Sequence, residues 1–319
     1  MRFPFFKTKK QMPVPVSKEE MQKEKIKDAL KKLRKIEIKT KNPVDSLFCG
    51  AYHSVFKGRG IEFSEVRQYC PGDDVRSIDW NVSARMNDIY IKEFTEEREL
   101  NVVILFDVSA SSNFGSGYDT KRNIAAEIIA SVVFSAIKNN DRVALCLATN
   151  KIEKYIKFGK SRKHAMRILR DLLLFEPKEN TTDLVPVIKS LFSILKQKSI
   201  IFVVSDFIGD LDKLKMPMRI LGIKHDVVGI ALNDERERVF EDYGIAVFED
   251  YETGEQVTIN TNDEVFRENY KKITNEHYDK LCDMFKKNKA GLILLDANKS
   301  WQTSLIKFFK ARGKSRKWI

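Results

Sequence analysis

Cysteine is scarce in this 319-residue chain: four residues, at positions 49, 70, 146 and 282, with no C-x-x-C pair among them. Thiols scattered in this way argue against a disulfide framework and a structural zinc site, and they fit a reducing cytoplasm. Long apolar runs are missing too. No stretch reaches the roughly eighteen uncharged apolar residues of a bilayer span, and the most apolar long segment, 124–137, is interrupted by Glu127. The first residues, Met1-Arg2-Phe3-Pro4-Phe5-Phe6-Lys7, lack the apolar core of a secretory signal. A Gly-x-x-x-x-Gly-Lys-Ser/Thr loop is absent, so ATP hydrolysis is expected of a partner and not of this chain. The four histidines (53, 164, 225 and 277) stand at neither ligand nor triad spacing, and a satisfied structural role is expected of them.

What is present is a folding chain. Apolar residues make up 43% and aromatics 10%, enough for one large or two modest domains with a substantial core. The net charge of +12 is uneven. Residues 1–41 hold 14 Lys/Arg against 5 Asp/Glu, and residues 307–319 hold 6 Lys/Arg and no acid. Subtracting these ends leaves the body, 42–306, near −3. The basic ends read first as solvated tails. A second reading is contact with an anionic membrane surface, since Phe3, Phe5 and Phe6 lie beside Lys7, Lys9 and Lys10. Nucleic acid is the weakest option, because no stacking or groove-reading motif accompanies the charge.

Periodicity divides the chain into a basic segment (1–44), a strand-rich segment (45–98), a main domain (99–313) and a basic tail (314–319). Ser17 with Glu20 forms a capping box, which predicts a charged helix to about Lys35. Gly58, Gly60 and Pro71-Gly72 punctuate the second segment. From residue 100 the pattern becomes strands alternating with helices. The apolar runs 102–106, 143–148, 200–204, 227–231 and 292–295 read as strands covered on both faces. Helical stripes lie at 124–137, at 187–195 with Pro186 in the first turn, near 263–286 and from about 302. Asn150-Lys151 predicts a turn into an edge strand at 152–158, and Thr253-Gly254 a second hairpin between 246–248 and 256–259. The fold class is therefore α/β, an open sheet with an antiparallel edge.

Three separated oxygen-rich segments look like one divalent-metal site: Asp107-Val108-Ser109-Ala110-Ser111, Thr181-Thr182-Asp183 and Ser205-Asp206. In an open parallel sheet, ligands bind beyond the carboxyl ends of the strands where the strand order reverses. In the order edge, second, first, fourth, fifth, sixth, the reversal falls between the strands ending at Asp107 and Asp206. Two carboxylates about 5 Å apart repel by roughly 3 kcal/mol at an effective dielectric near 20, and a dication turns that cost into attraction. Oxygen-only ligands suit a hard cation, Mg²⁺ or in its place Mn²⁺ or Ca²⁺. The plainer reading of Asp107-x-Ser-x-Ser alone is a strand-to-helix turn with capping hydroxyls. Asp183 reads as the cap of the helix beginning at Leu184, with a secondary role at the metal as its alternative.

Asp-x-Ser-x-Ser at 107–111, with Thr182 and Asp206, resembles the metal-ion-dependent adhesion site of von Willebrand factor A domains. The preceding run narrows the match. Gly58-x-Gly60-x-Glu62-Phe63, Arg67-x-Tyr69, Gly72-Asp73-Asp74-x-Arg76-x-Ile78-Asp79-Trp80 and Ala84-Arg85 resemble the bacterial domain of unknown function family 58. The resemblance spans about 45–313. It departs at Ser112, where Met is common, and at Asn180-Thr181, where Gly-Gly is common. It implies a von Willebrand factor A-like sheet whose metal is held by Asp107, Ser109, Ser111, Thr182 and Asp206, with one position open for a partner's Asp or Glu. It also implies a non-enzymatic adaptor or co-chaperone working with a MoxR-type AAA+ ATPase or its client, cytoplasmic or peripheral to the inner face of the membrane. An Mg²⁺-dependent hydrolase is the remaining alternative, but no His or Lys is near Ser109 or Ser111 in sequence. For Gly72–Trp80 we expect a buried network, with Arg76 and Arg85 paired to Asp73, Asp74 or Asp79 and Trp80 in the core. Direct contact with a partner is the alternative.

Overall fold

The computed structural model describes residues 31–34, 50, 52, 55, 62–95, 99–113, 120–179, 181–239, 242–249 and 255–315. Its centre is a six-stranded sheet built from the apolar runs. The strands are β3 (Asn101–Asp107), β4 (Arg142–Ala148), β5 (Ile152–Gly159), β6 (Ile200–Ser205), β7 (Asp226–Asn233) and β10 (Gly291–Asp296). Their order is β10-β7-β6-β3-β4-β5, parallel throughout except that β5 runs antiparallel to β4. This is the open, doubly wound sheet with an antiparallel edge strand that the pattern predicts.

Strand alternation explains why both faces had to be apolar. Ile104 and Phe106 join one core with Leu145, Phe202 and Ile230, whereas Val103 and Leu105 join another with Ile201 and Val203. Helices α2 (Lys121–Lys138), α3 (Arg162–Leu173) and α8 (Trp301–Ser315) cover the first face. Helices α4 (Leu184–Ile194), α5 (Leu211–Lys224) and α7 (Glu264–Lys287) cover the second. Each fully buried Leu, Ile or Phe contributes about 1.5–3 kcal/mol of transfer free energy. The central strands, near zero exposure, therefore hold the layers together. Gly229 on β7 is required by packing: a Cβ there would lie 2.4 Å from the Phe285 ring.

Helices α3 and α5 were not foreseen. Both carry many charges, and α5 holds Pro217 in its interior. The strand-rich reading of 45–98 needs correction as well. It holds for the hairpin of β1 (Glu62–Gln68) and β2 (Tyr90–Thr95), but α1 (Trp80–Met86) is helical, as are Gly50, Tyr52 and Val55. Tyr52 is fully buried and donates to Asp141 at 3.1 Å, so part of this segment belongs to the main core. Of the predicted basic helix, only 31–34 is described. It is helical, with Leu33 buried in the core and Lys32 donating to Asn123 at 3.0 Å. Residues 1–30, Gly58, Gly60, the turn at Thr253-Gly254 and the tail 316–319 lie outside the described residues. The second hairpin itself forms, as β8 (Ile245–Glu249) with β9 (Gln256–Asn260). Arg312, in the basic C-terminal stretch, pairs with Asp226, so that stretch is partly structural.

The Gly72–Trp80 run differs most from expectation. Asp73 pairs with Arg67 through two 2.8 Å contacts, and the guanidinium holds its carboxyl down at about 2. Asp74 caps a short turn through the Arg76 amide, and Asp79 caps α1 through Asn81 and Val82 and lies 3.6 Å from Lys92. Arg76 and Arg85 are exposed, and Trp80 is 67% exposed. The expected buried Arg–Asp network with a core tryptophan is therefore wrong. A two-stranded hairpin and one short helix supply no second layer to bury it.

Candidate metal centre

β3 is apolar from Val102 to Phe106, so its buried run delivers Asp107 to the carboxyl edge of the sheet. There Phe106 pairs with Val204 of β6, which sets Ser205 beside Asp107. Ser205 Oγ donates to Asp107 Oδ2 at 2.8 Å, and Thr182 Oγ1, arriving on the loop before α4, donates to Asp107 Oδ1 at 3.0 Å. The Ser109 amide reaches the same Oδ1 at 3.1 Å, and Ser109 and Ser111 share a 3.0 Å hydroxyl–hydroxyl hydrogen bond. Asp206 follows β6 directly. The structure thus gathers Asp107, Ser109, Ser111, Thr182 and Asp206 at the strand-order reversal. Asp183 takes the capping role, accepting from the Val185 amide at 2.9 Å.

The two carboxylates are in different situations. Asp107 is 3% exposed, and burial, reinforced by the negative charge of Asp206, pushes its carboxyl up to about 6. Asp206 is 8% exposed, and its Oδ2 accepts no hydrogen bond among the described residues. Its Oδ1 accepts from the Ile208 amide at 3.1 Å. The turn that aims Asp206 is strained: Phe207 adopts φ 55, a left-handed conformation that costs a bulky residue of order 1–3 kcal/mol. It is held by its ring against Phe285, 5.5 Å between centroids, and by His277, whose Nε2 lies 3.0 Å from the Phe207 carbonyl. His277 therefore has the structural role expected of the histidines. His164 does too, with Nε2 2.8 Å from the Val143 carbonyl, whereas His225 is only half satisfied: its Nδ1 accepts from the Ser199 amide at 3.3 Å and its buried Nε2 has no partner among the described residues.

Asp107, Ser109, Ser111, Ser205 and Asp206 line a cavity of about 10 Å³, with Phe106, Leu232 and Lys121 completing the wall. That volume admits one water-sized body. Among the described residues no three His, Cys, Asp or Glu cluster in metal-holding geometry. A cation here would therefore depend on hydroxyls as well as two carboxylates, the hard-oxygen set that suits Mg²⁺. The orphaned, buried Asp206 oxygen and the raised Asp107 both fit such an ion. Ser112 and Asn180, where the family pattern is broken, have no side chain among those described.

Sequence reasoning missed Lys121. It opens α2 directly after the cap Thr120, is 2% exposed, and lies 3.9 Å from Asp206 Oδ2. Its Nζ also reaches Glu237 on α6 (Glu235–Arg238), at 2.6 Å to Oε1 and 2.5 Å to Oε2. The available signal was a lysine in the first turn of a helix that is otherwise apolar nearly all round.

Over residues 65–280 the sequence matches the family described as "Protein of unknown function DUF58". Uncharacterized proteins of Mycobacterium bovis and Mycobacterium tuberculosis are 29% identical over 217 residues, covering 67% of this chain and 68% of each relative. The uncharacterized protein YeaD of Bacillus subtilis is 28% identical over 111 residues, 35% of this chain and 26% of that one. Among solved structures, the conserved hypothetical protein BatB of Bacteroides thetaiotaomicron aligns with 13% identity and a TM-score of 0.48. That alignment covers 67% of this chain and 99% of BatB. A von Willebrand factor type A structure from Catenulispora acidiphila aligns with 11% identity and a TM-score of 0.39, covering 81% of this chain and 50% of that one. The chain belongs to the DUF58 family.

Proposed function

We propose that this protein is a non-enzymatic, metal-dependent binding module. In this reading Asp107, Ser109, Ser111, Thr182 and Asp206 hold Mg²⁺, and a carboxylate of a partner protein completes its shell. The single observation that carries it is the pairing of a fully hydrogen-bonded Asp107 with an Asp206 whose buried Oδ2 accepts no hydrogen bond among the described residues, both at one small cavity. The ion would supply the charge that offsets these two acids. This chain's residues supply the position: β3 and β6 fix the acids, the Thr182 loop orients Asp107, and Phe207 with His277 fixes the Asp206 turn.

The partner we propose is a MoxR-type AAA+ ATPase or its client, with this protein as adaptor or co-chaperone on the cytoplasmic side. The exposed Val75, Trp80, Met86 and Ile89 beside the hairpin support direct partner contact by the Gly72–Trp80 region. Among the described residues no helix is long and apolar enough to cross a membrane. Peripheral contact with an anionic bilayer through the basic ends is part of the same proposal.

The test is affinity capture with the full chain, comparing wild type with Asp107→Ala, each with and without chelator. An ATPase or client retained only by wild type with Mg²⁺ supports the reading. Equal capture in all four arms, or capture lost with salt but not chelator, overturns it.

A further inference from the structure

The buried lysine beside the acid pair asks for an explanation. An ammonium removed from water is costly unless paired, and one in the first turn of a helix also opposes the positive end of the helix dipole. Lys121 carries both penalties, since it opens the 18-residue α2 and is 2% exposed. Its neighbours offset them: Glu237 touches the ammonium at 2.5 Å, and the otherwise undonated Asp206 Oδ2 lies 3.9 Å away. Glu237 is itself anchored, because α6 is tied to α7. Tyr270 donates its hydroxyl to the Glu237 carbonyl at 2.8 Å, and Arg238 donates to Asn275 at 3.1 Å and stacks over Tyr278 at 4.6 Å.

We propose that Lys121 is a resident counter-cation of the site, shared between Asp206 and Glu237, which competes with a divalent ion for Asp206 and thereby sets the site's metal affinity. This rests on the reading of the cluster as a metal site. The flexible lysine stem lets the ammonium lean toward either acid. Leaning on Glu237 frees Asp206 for the ion; leaning on Asp206 closes the site. Glu237, distant in sequence from the five proposed ligands, thus becomes the residue that tunes them. Opposite signs then follow for the two partners. Removing Lys121 removes a positive charge close to the ion and strengthens binding. Removing the charge of Glu237 returns the ammonium wholly to Asp206 and weakens it.

The experiment is calorimetric titration of the full chain with Mn²⁺ and with Mg²⁺, for wild type, Lys121→Met, Glu237→Gln and the double variant. Circular dichroism melting establishes that each is folded. The double variant removes both members of the Lys121–Glu237 pair, so neither strands the other, and it remains informative where Lys121→Met fails to fold. The expected result is at least tenfold tighter binding by Lys121→Met, tighter binding by the double variant, and at least tenfold weaker binding by Glu237→Gln. Affinities within twofold of wild type in folded variants, or a loss in Lys121→Met, overturn this inference and leave the metal site standing. No binding by any of the four proteins overturns both.

Discussion

The main sheet and the front lobe both carry large apolar side chains but bury them very differently. Phe106 on β3 is 1% exposed between the sheet and its helix layer, while Trp80 on α1 is 67% exposed. Hydrophobicity specifies what a residue gains from burial; only a second layer of structure delivers it. The sheet has helices on both faces, and β1, β2 and α1 form a thin lobe without a cover among the described residues. The same contrast separates rigidity from reach. The sheet fixes the acids of the candidate site, and the lobe offers apolar side chains to the outside.

The largest expected effect tests the sheet side of this contrast. Phe106→Ala should cost about 3–5 kcal/mol in urea unfolding, because it opens a cavity between layers that cannot collapse. A loss under 1 kcal/mol would mean that the layers are looser than their burial implies.

Next come two buried carboxyls, one in the candidate site and one beneath Tyr52. Burial holds both Asp107 and Asp141 up to about 6, against an ordinary value of 3.8. The native state therefore binds these protons more tightly than the unfolded chain. Their contribution is fully present below pH ~4 and is lost as pH rises through ~6. The Asp107 share is about 3 kcal/mol, at 1.36 kcal/mol per pH unit. Without metal, stability should fall over that window, and Asp107→Asn should flatten much of the fall. In wild type at pH 7.5, millimolar Mg²⁺ should raise the melting temperature, and in Asp107→Asn it should not. A pH profile identical in the two proteins would remove the buried charge from the account.

A smaller effect is expected at Thr182. Its hydroxyl donates to Asp107 at 3.0 Å, so Thr182→Val should weaken Mg²⁺ binding by about tenfold in calorimetry with little change in unfolding midpoint. The smallest effect belongs to the lobe. Trp80→Ala should change stability by less than about 0.5 kcal/mol, while reducing capture of a partner in the affinity experiment. If it instead destabilises the protein as Phe106→Ala does, the lobe is covered after all and the comparison fails.

Legibility in the sequence followed the same division. The apolar runs at 102–106 and 200–204 could be read as central strands because parallel sheets bury both faces. The strand order then placed Asp107 next to the residues after β6, and the structure agrees in order. Asp183 was legible as a cap because its chemistry is local. Three features were not. α3 and α5 present polar outer faces, so their apolar stripes are thin. Trp80 was placed inside on side-chain type alone, although nothing in the sequence supplied a layer over it. Lys121 looked like any solvated first-turn lysine, since its second partner, Glu237, is 116 residues away.

The scatter of the oxygen donors along the chain has one more consequence. Ser205 and Asp107 are 98 residues apart, and Thr182 and Asp107 are 75 apart. Before β6 lies beside β3 these groups have no common neighbourhood, so an unfolded or half-built chain offers an ion nothing better than isolated acids. By mass action, any dication captured there stabilises only the finished protein, by about 2.7 kcal/mol at a hundredfold excess over its dissociation constant. Ion binding would thus double as quality control, distinguishing a finished fold from one still forming.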